Sequence, residues 1–471
     1  MTASNPLPRS APADQGVSAR GISAFIDALA ARSLQLHGLI MLRHGSVIAE
    51  GWWQPYTADR PHMLFSLSKS FTSTAVGLAV REGRLSVDDP VTSFFPDDLP
   101  AVVGPNLAAM RVRHLLMMGT GHDQDTTPRL RQAGAGNWVR GFLSLDVEHA
   151  PGSKFVYNSG ASYMLSAIVQ QVTGLTLLAY LTPRLFGALG IDGATWESSP
   201  QGINAGGWGL SLTTEDIARF GQLYLQKGCW HGEQLVPEAW IREATAVQIS
   251  NGAGGSSDWA QGYGYQFWRC RHNVYRGDGA FGQYCIVMPE QDAVIAMTGG
   301  TGDLQGVLDC VWEHVLPAIG GGVVQDAALP ARLARLSLAP GHGRPAPGRV
   351  VPASGRRYAL EPNEAALDSV TLDLTDKACR VHLGQAGLTR SIECGFEDWA
   401  SSEVARVAGE GPEPCAGRAS WEEDGTLRIE WYFVQTPFGR IVRVSPAGDG
   451  VTVHYRSNVG EHAKGVAVRG V

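Results

Sequence analysis

A stretch rich in proline and glycine divides the chain and limits what can fold on either side of it. Residues 339–355 contain four prolines and four glycines in 17 positions. Proline lacks a backbone N–H and glycine weakens helices and strands, so this stretch forms neither a continuous helix nor a central strand. We therefore expect two folded parts, residues 1–335 and 357–471, joined by a linker over 336–356.

Helix and strand patterns are mixed before the linker, and only strand patterns follow it. The first part predicts a hairpin that turns at 44–46, together with helices and strands that are bounded by turn residues. These helices and strands cover 70–82, 158–173, 214–226, 284–288 and 293–298. After the linker, strand patterns at 370–374 and 427–434 predict a small all-β domain, either a barrel or a sandwich.

The composition is that of a globular protein without a nucleic-acid or membrane signature. The 471 residues carry 38 basic and 45 acidic side chains, and no basic block is present that would attract nucleic acid. No run of about 18 apolar residues occurs, so no membrane span is expected. The seven cysteines are widely spaced and form no CxxC pair. This spacing predicts neither a zinc site nor a disulfide framework, but a reducing, cytoplasmic location.

The pattern Ser-x-x-Lys at Ser66 and Lys69 carries the first chemical signal. Residues three apart lie on one face of a helix, so the hydroxyl and the amine can share a proton. A serine needs a base to become a nucleophile, and a lysine is that base only when its surroundings lower its pKa. Only five of the 38 cationic residues are lysines, and among them Lys69 alone stands in an apolar helix three residues after a serine. An arginine could not become neutral there.

The segments around these residues resemble the serine beta-lactamase superfamily, most closely its class C branch with the penicillin-binding-protein relatives and family VIII esterases. The matching segments, in the family's order, are 65–72, 76–85, 88–91, 114–116, 151–159, 206–210, 214–216 and 279–283. The resemblance covers about residues 16–320. It implies an α/β (α+β) fold of the beta-lactamase type, in which an antiparallel sheet is flanked by helices and a helical subdomain, with the site between them.

The resemblance also implies roles for individual residues. Ser66 would attack a carbonyl carbon, and Lys69 and Tyr157 would transfer the proton of its hydroxyl. The backbone N–H groups of Ser66 and Ala280 would hold the oxyanion, and no metal or cofactor would be needed. The polar segment 121–125 is interpreted as a loop near the pocket entrance rather than a metal site.

The second motif departs from the family pattern, which is usually Tyr-x-Asn. Tyr157 is present but is followed by Asn158 and Ser159, so the asparagine and the small polar residue look exchanged. The residues leave open which of the two supplies the accompanying hydrogen bond. A cationic Lys69 beside Tyr157 would lower the pKa of the phenol, and we expect a phenolate to form more easily for that reason.

The third motif departs further. In the family it is Lys-Thr-Gly, whose cation helps to hold a substrate carboxylate. The counterpart here is Gly277-Asp278-Gly279-Ala280, which has no cation at the first position. Gly279 still permits a close approach of substrate to the backbone, whereas the acidic Asp278 disfavours an anionic substrate, with Arg276 close by in sequence. We therefore expect a neutral ester or amide rather than a beta-lactam.

The function predicted from the residues and the resemblance is a serine hydrolase that cleaves a small ester or amide through an acyl-enzyme on Ser66. Three alternatives stay open: an amidase or peptidase for D-amino-acid compounds, a beta-lactamase, and a non-catalytic binding protein that kept the fold. Self-association as a homo-oligomer is also left open. The C-terminal part is expected either to shade the pocket mouth or to mediate that association.

Overall fold

The computed structural model describes residues 6–338 and 351–471, so most of the predicted linker, residues 339–350, lies outside the described residues. The helices all belong to the part before this gap. In chain order they are α1 Ala19–Ala31, α2 Ser68–Arg81, α3 Pro105–Ala109, α4 Val112–Leu116, α5 Thr127–Ala133, α6 Trp138–Leu143, α7 Ser159–Thr173, α8 Leu177–Leu181, α9 Gly187–Leu189, α10 Thr214–Leu225, α11 Glu238–Thr245, α12 Leu304–Cys310 and α13 Leu329–Leu333.

The same part of the described chain contains eleven strands. They are β1 Leu36–Arg43, β2 Ser46–Trp52, β3 His62–Met63, β4 Thr195–Trp196, β5 Leu210–Leu212, β6 Cys229–Trp230, β7 Glu233–Gln234, β8 Trp268–Arg269, β9 Tyr275–Gly279, β10 Gln283–Met288 and β11 Ala293–Gly299. The predicted hairpin is confirmed as β1 and β2, and the predicted helices are confirmed as α2, α7 and α10, with end shifts of at most two residues.

Six of these strands form the central antiparallel sheet, in the order β2-β1-β11-β10-β9-β8. Leu39 and Met41 of β1 belong to the apolar cluster around α1, whereas Ile40 and Leu42 belong to the cluster around α2 and α10. Alternate residues of a strand point to opposite faces of a sheet, so a strand that is covered on both faces needs a continuous apolar run. This confirms the expected antiparallel sheet flanked by helices.

The C-terminal part of the described chain is built from strands alone. They are β12 Arg357–Ala359, β13 Leu367–Leu374, β14 Ala378–Gln385, β15 Leu388–Gly395, β16 Ala400–Ala405, β17 Pro412–Trp421, β18 Leu427–Phe433, β19 Gly439–Ala447, β20 Gly450–Ser457 and β21 Val466–Gly470. They form one ten-stranded sheet around a single apolar core. Ala359 and Val471 exchange two backbone hydrogen bonds of 3.1 Å, so the sheet nearly closes on itself. We call these ten strands the C-terminal barrel; of the two predicted forms, the barrel is the one observed.

One loop of the C-terminal barrel is fastened to the part that contains Ser66. This loop, residues 434–438, connects β18 with β19. The Gln435 carbonyl accepts a hydrogen bond of 2.8 Å from the Met63 N–H, and the Thr436 carbonyl accepts one of 2.9 Å from the Tyr56 hydroxyl. The loop is therefore held against the segment that runs from β3 into α2.

No single described helix is both long and apolar enough to cross a membrane. Helix α7 and the segment Leu177–Leu189 are long and apolar enough only when taken together, and the chain bends by 63° between them.

The start of α7 is fixed by Asn158, which is its N-cap and is fully buried. The Asn158 side-chain oxygen accepts hydrogen bonds from the N–H groups of Gly160 and Ala161 and from both the N–H and the hydroxyl of Thr126. A cap oxygen satisfies N–H groups that the first turn of a helix leaves unpaired. Here the same oxygen also ties the helix start to the loop before α5.

Replacing Asn158 with alanine is expected to lower the free energy of unfolding by about 2–3 kcal/mol, because the cap is lost and buried donors are left unpaired. Asn137→Ala is the matched control, since Asn137 caps α6 through one backbone N–H, that of Arg140, and is only half-buried. It is expected to cost about 1 kcal/mol. Urea unfolding followed by tryptophan fluorescence measures both variants, and equal losses would contradict the larger role of Asn158.

Candidate active site

Ser66 lies in a short 3-10 turn, Phe65–Leu67, that leads directly into α2. The turn is fastened to β5 on both sides. The Leu64 N–H donates a hydrogen bond of 2.9 Å to the Leu210 carbonyl, and the Leu210 N–H donates one of 3.1 Å to Ser68 Oγ. Ser66 itself is half-buried, so its side chain is held in place and yet remains partly accessible.

Lys69 brings its amine into contact with the Ser66 hydroxyl. Lys69 Nζ lies 2.9 Å from Ser66 Oγ, 3.0 Å from Ser159 Oγ and 2.7 Å from the Gly207 carbonyl oxygen. The Lys69 side chain is only 1% exposed. The structure thus brings together the two residues that the Ser-x-x-Lys spacing pairs.

Burial changes the acidity of this amine. It lowers the pKa of Lys69 from 10.5 to about 7, against the opposing effect of the Asp125 and Asp278 carboxylates. Removing an ammonium group from water disfavours its charged form, and that is the physical cause of the shift. At neutral pH a large fraction of the Lys69 side chain is therefore an uncharged amine, which can accept a proton.

Tyr157 is the third side chain beside Ser66 and Lys69. Its hydroxyl interacts with Ser66, and its ring stacks on Trp268 with a centroid distance of 5.1 Å. Burial and the Asp278 carboxylate raise the pKa of Tyr157 above its ordinary value. The expectation of an easily formed phenolate is therefore wrong. Lys69 Nζ lies 4.8 Å from the centroid of the phenol ring, and its effect does not outweigh burial.

The two residues after Tyr157 have different roles. Asn158 caps α7, and its side-chain hydrogen bonds join it to Thr120, Thr126 and the first turn of α7 rather than to Lys69. Ser159 Oγ accepts the hydrogen bond from Lys69, so Ser159, two positions after Tyr157, stands where the family pattern has asparagine. Of the two residues that the sequence leaves open for the accompanying hydrogen bond, Ser159 is therefore the one that contacts Lys69.

Asp125 is a residue of the site that sequence reasoning missed. Its Oδ1 accepts hydrogen bonds of 3.0 Å from the Ser159 N–H and of 3.1 and 2.9 Å from the N–H and hydroxyl of Thr127. Asp125 thus fixes the backbone of the serine that faces Lys69. The segment 121–125 is more than a solvated loop, since His122 within it is fully buried. No spacing or residue type marks Asp125 in advance; only the fold places it beside α7.

Strand β9 carries the counterpart of the third motif and packs closely on the residues around Ser66. A Cβ atom on Gly277 would stand 2.5 Å from both Leu67 Cδ1 and Ser70 Oγ, so a side chain there would require these two side chains to shift. A Cβ atom on Gly279 would stand 2.0 Å from the Leu64 carbonyl oxygen. Gly279 therefore needs to be glycine, because the backbone of β9 lies directly on the turn that carries Ser66.

Ala280 is the first residue after β9 and is half-buried. It begins the turn into β10, in which the Gly282 N–H donates a hydrogen bond of 3.3 Å to the Gly279 carbonyl. The Ala280 carbonyl accepts one of 3.1 Å from Gln283 Nε2. Because Gly279 rests on the carbonyl of Leu64, the backbone of Ala280 comes next to the Ser66 turn.

Asp278 is paired with a buried cation. Arg276 Nε and Nη2 both lie 2.9 Å from Asp278 Oδ2, and Arg276 is fully buried against the rings of Trp259 and Trp268. Burial raises the pKa of Asp278, and Arg276 offsets part of that rise. Arg276 therefore compensates the charge of Asp278, and the effect of Asp278 on an anionic substrate stays a prediction.

Comparison with known sequences identifies the family. The sequence model of the beta-lactamase family matches residues 23–302. The chain is similar to the 6-aminohexanoate-dimer hydrolase of Paenarthrobacter ureafaciens, with 28% identity over 300 residues that cover 57% of this chain and 76% of that protein. It is also similar to esterase EstB of Burkholderia gladioli, with 28% identity over 35% of this chain and 47% of that protein.

Solved structures show the same fold. The hydrolase EstCE1 matches with a TM-score of 0.53 and 18% identity, over 64% of this chain and 99% of that chain. The octameric penicillin-binding protein homologue from Pyrococcus abyssi matches with a TM-score of 0.52 and 16% identity, over 96% of this chain and 99% of that chain. The family match spans more than half of the residues. The chain therefore belongs to the beta-lactamase family and is a serine hydrolase.

Proposed function

We propose that this hydrolase cleaves a neutral ester or amide through an acyl-enzyme on Ser66, with Lys69 as the base. The observation that carries the proposal is the 2.9 Å contact between Lys69 Nζ and Ser66 Oγ. It occurs where burial lowers the pKa of Lys69 to about 7. A lysine with its ordinary pKa of about 10.4 would be almost fully charged at neutral pH and could not accept a proton.

In the first half-reaction, Ser66 Oγ attacks the carbonyl carbon while its proton passes to Lys69 Nζ. The N–H groups of Ser66 and Ala280 hold the negative oxygen of the tetrahedral intermediate. As the intermediate collapses, the bond to the leaving group breaks, and Tyr157 gives its proton to that group. Tyr157 recovers a proton from the Lys69 ammonium. The raised pKa of Tyr157 supports this role, because the phenol keeps its proton until the leaving group needs it.

In the second half-reaction, water replaces the leaving group. Lys69, again a neutral amine, takes a proton from the water as its oxygen attacks the acyl carbon. The bond between the acyl carbon and Ser66 Oγ then breaks, and Ser66 recovers its proton. The products are a carboxylic acid and the free enzyme, so each cycle consumes one ester or amide and one water molecule.

The substrate class follows from the third motif and the relatives. Gly277 stands where the family pattern has its lysine, so the site lacks the cation that would hold a substrate carboxylate near the reacting carbonyl. The names of the two relatives, an esterase and a hydrolase of 6-aminohexanoate dimer, support an ester or an amide. A panel of short p-nitrophenyl esters, 6-aminohexanoate dimer and D-alanyl peptides separates the esterase, linear amidase and D-amino-acid peptidase alternatives.

The cellular location, the division into domains and the oligomeric state are proposed as well. The seven cysteines are all unpaired thiols, which supports a reducing compartment such as the cytoplasm. The division into two domains with a linker over 336–356 is supported by the apolar cores on either side of it, which a smaller cluster around Tyr56, Leu338 and Tyr432 connects. Self-association as a homo-oligomer is the third, and light scattering of the purified protein measures it.

Replacing Ser66 with alanine is expected to reduce kcat/KM for a short ester by about a thousandfold or more, because the nucleophile is lost. The same variant should take up no fluorophosphonate, as measured by intact mass, whereas the wild-type adduct should map to the peptide that contains Ser66. Ser153→Ala is the matched control, since Ser153 is an exposed serine. Full ester hydrolysis by the Ser66 variant would reject the acyl-enzyme, and failure of the wild type to react with any probe would favour a binding protein.

The activity of the wild type should rise with pH and level off above about pH 7. Below that pH Lys69 is protonated and cannot accept the Ser66 proton, and above it the amine is free, since its pKa lies at about 7. The measurement is log kcat/KM for a neutral ester between pH 5 and 9, with an expected slope of about one on the acid side. The Lys69→Arg variant keeps the positive charge but has no neutral form that could accept a proton, so it should be inactive between pH 5 and 9. A flat profile in the wild type would contradict Lys69 as the base.

Nitrocefin, which carries a carboxylate, should be a poor substrate. Its kcat/KM is expected to be at least about tenfold below that of p-nitrophenyl butyrate, because the charge-assisted contact of the lactamase site is missing. Spectrophotometric rates with both compounds at equal enzyme concentration test this. Faster turnover of nitrocefin than of the ester would establish a beta-lactamase instead.

A further inference from the structure

We propose that Phe438 of the C-terminal barrel forms, with Phe65 and Phe281, an apolar wall beside Ser66 that receives the hydrocarbon part of the substrate. We call these three residues the aromatic wall. The barrel would then take part in selecting what is cleaved. This inference rests on the proposed function and extends it to a specificity-determining residue outside the hydrolase core.

The three rings contact one another edge to face. The centroid distances are 5.3 Å between Phe65 and Phe281, 6.1 Å between Phe65 and Phe438, and 5.7 Å between Phe281 and Phe438. Such arrangements are the favourable ones for phenyl rings. All three residues are half-buried, so the wall is packed against itself and still keeps part of its apolar surface uncovered.

Chain position places two residues of this wall next to the reacting centre. Phe65 is bonded directly to Ser66, and Phe281 is bonded directly to Ala280, so each is the neighbour in the chain of a proposed oxyanion donor. Both phenylalanines have left-handed backbones, with φ of 50° and 68°. This conformation is strained for a residue with a Cβ atom, and such strain concentrates at functional sites. A ring is thus kept at two positions where the backbone favours glycine.

Phe438 is held in its place by the loop that carries it. Its carbonyl accepts a hydrogen bond of 2.9 Å from the Phe433 N–H, and its own N–H donates one of 3.1 Å to Thr436 Oγ1. The same loop is fastened to Met63 and Tyr56 at its other residues. A ring fixed before the substrate arrives loses little conformational entropy on binding, which suits a recognition surface.

The chemistry of the wall indicates an alkyl or aryl group as its ligand. The only charge stacked on it among the described residues is Arg406, whose guanidinium carbon lies 5.1 Å from the Phe438 centroid. Arg406 is itself paired with Glu413 at 3.1 Å. The wall therefore offers hydrocarbon surface, and contact with it should improve binding of substrates with longer chains.

The test compares p-nitrophenyl acetate with p-nitrophenyl hexanoate on the full-length protein. In Phe438→Ala, the ratio of kcat/KM for hexanoate to that for acetate should fall at least about tenfold, mainly through a higher KM for hexanoate. The value for acetate should stay within about twofold of wild type, since only the longer acyl chain is expected to reach Phe438. Phe438→Leu keeps apolar bulk and should show an intermediate ratio.

Phe396→Ala is the matched control. Phe396 is another half-buried phenylalanine that packs on the core of the C-terminal barrel, where it stacks on Trp421. Its loss should leave the ratio unchanged even if the barrel is destabilised, and thermal melting of all variants reports that effect.

Each outcome decides the inference. An unchanged ratio in Phe438→Ala and in Phe438→Leu, or an equal loss with both esters, would overturn it, because Phe438 would then only support the fold. If the wild type cleaved neither ester and Ser66 took up no fluorophosphonate, the proposed function would fail first and this inference with it. An active wild type with an unaltered ratio in the variants rejects the aromatic wall alone.

Discussion

The burial of one amine is the constraint on which the site depends. An amine out of water is costly unless it is hydrogen-bonded, and Lys69 finds three oxygen partners within 3.0 Å. They come from three separate segments: Ser66 from the turn before α2, Ser159 from the first residue of α7, and Gly207 from the loop before β5. The packing of these segments therefore sets both the position of the amine and its acidity.

This dependence explains which parts of the site could be predicted from sequence. The pairing of Ser66 with Lys69 is local, because residues three apart on a helix must share a face. The helices themselves and the β1–β2 hairpin carry equally local signals in their apolar spacing and turn residues. The C-terminal barrel was predictable as strands, while its closure depends on hydrogen bonds between distant residues.

Other features of the site arise only in the folded chain. The order of residues in the sequence does not show that Ser159 faces the Lys69 amine while Asn158 faces the loop before α5. The acidity of Tyr157 was predicted in the wrong direction, because the cation beside it is evident from the motif and the burial is not. Asp125 carries no signal at all, since an aspartate in a polar loop is common and its contact with α7 is made across 34 residues.

The third motif combines a change of charge with close packing. From sequence, Gly277 and Asp278 indicate a site that has lost a positive charge and gained a negative one. In the structure, β9 also lies so close to the Ser66 turn that a Cβ atom at Gly279 would meet the Leu64 carbonyl oxygen. The acid is then compensated by the buried Arg276, which stacks on two tryptophans.

The loop of residues 434–438 has a consequence for how such a protein can diversify. It is a short connection between two strands of a barrel that has its own apolar core, and it touches the hydrolase part through two backbone carbonyl groups and the ring of Phe438. Hydrogen bonds through carbonyls are available to every residue type. Substitutions or insertions in this one turn can thus alter the surroundings of the nucleophile without disturbing the buried lysine. Substrate preference could therefore change in evolution through a few substitutions in the C-terminal barrel, which contributes none of the proposed catalytic residues.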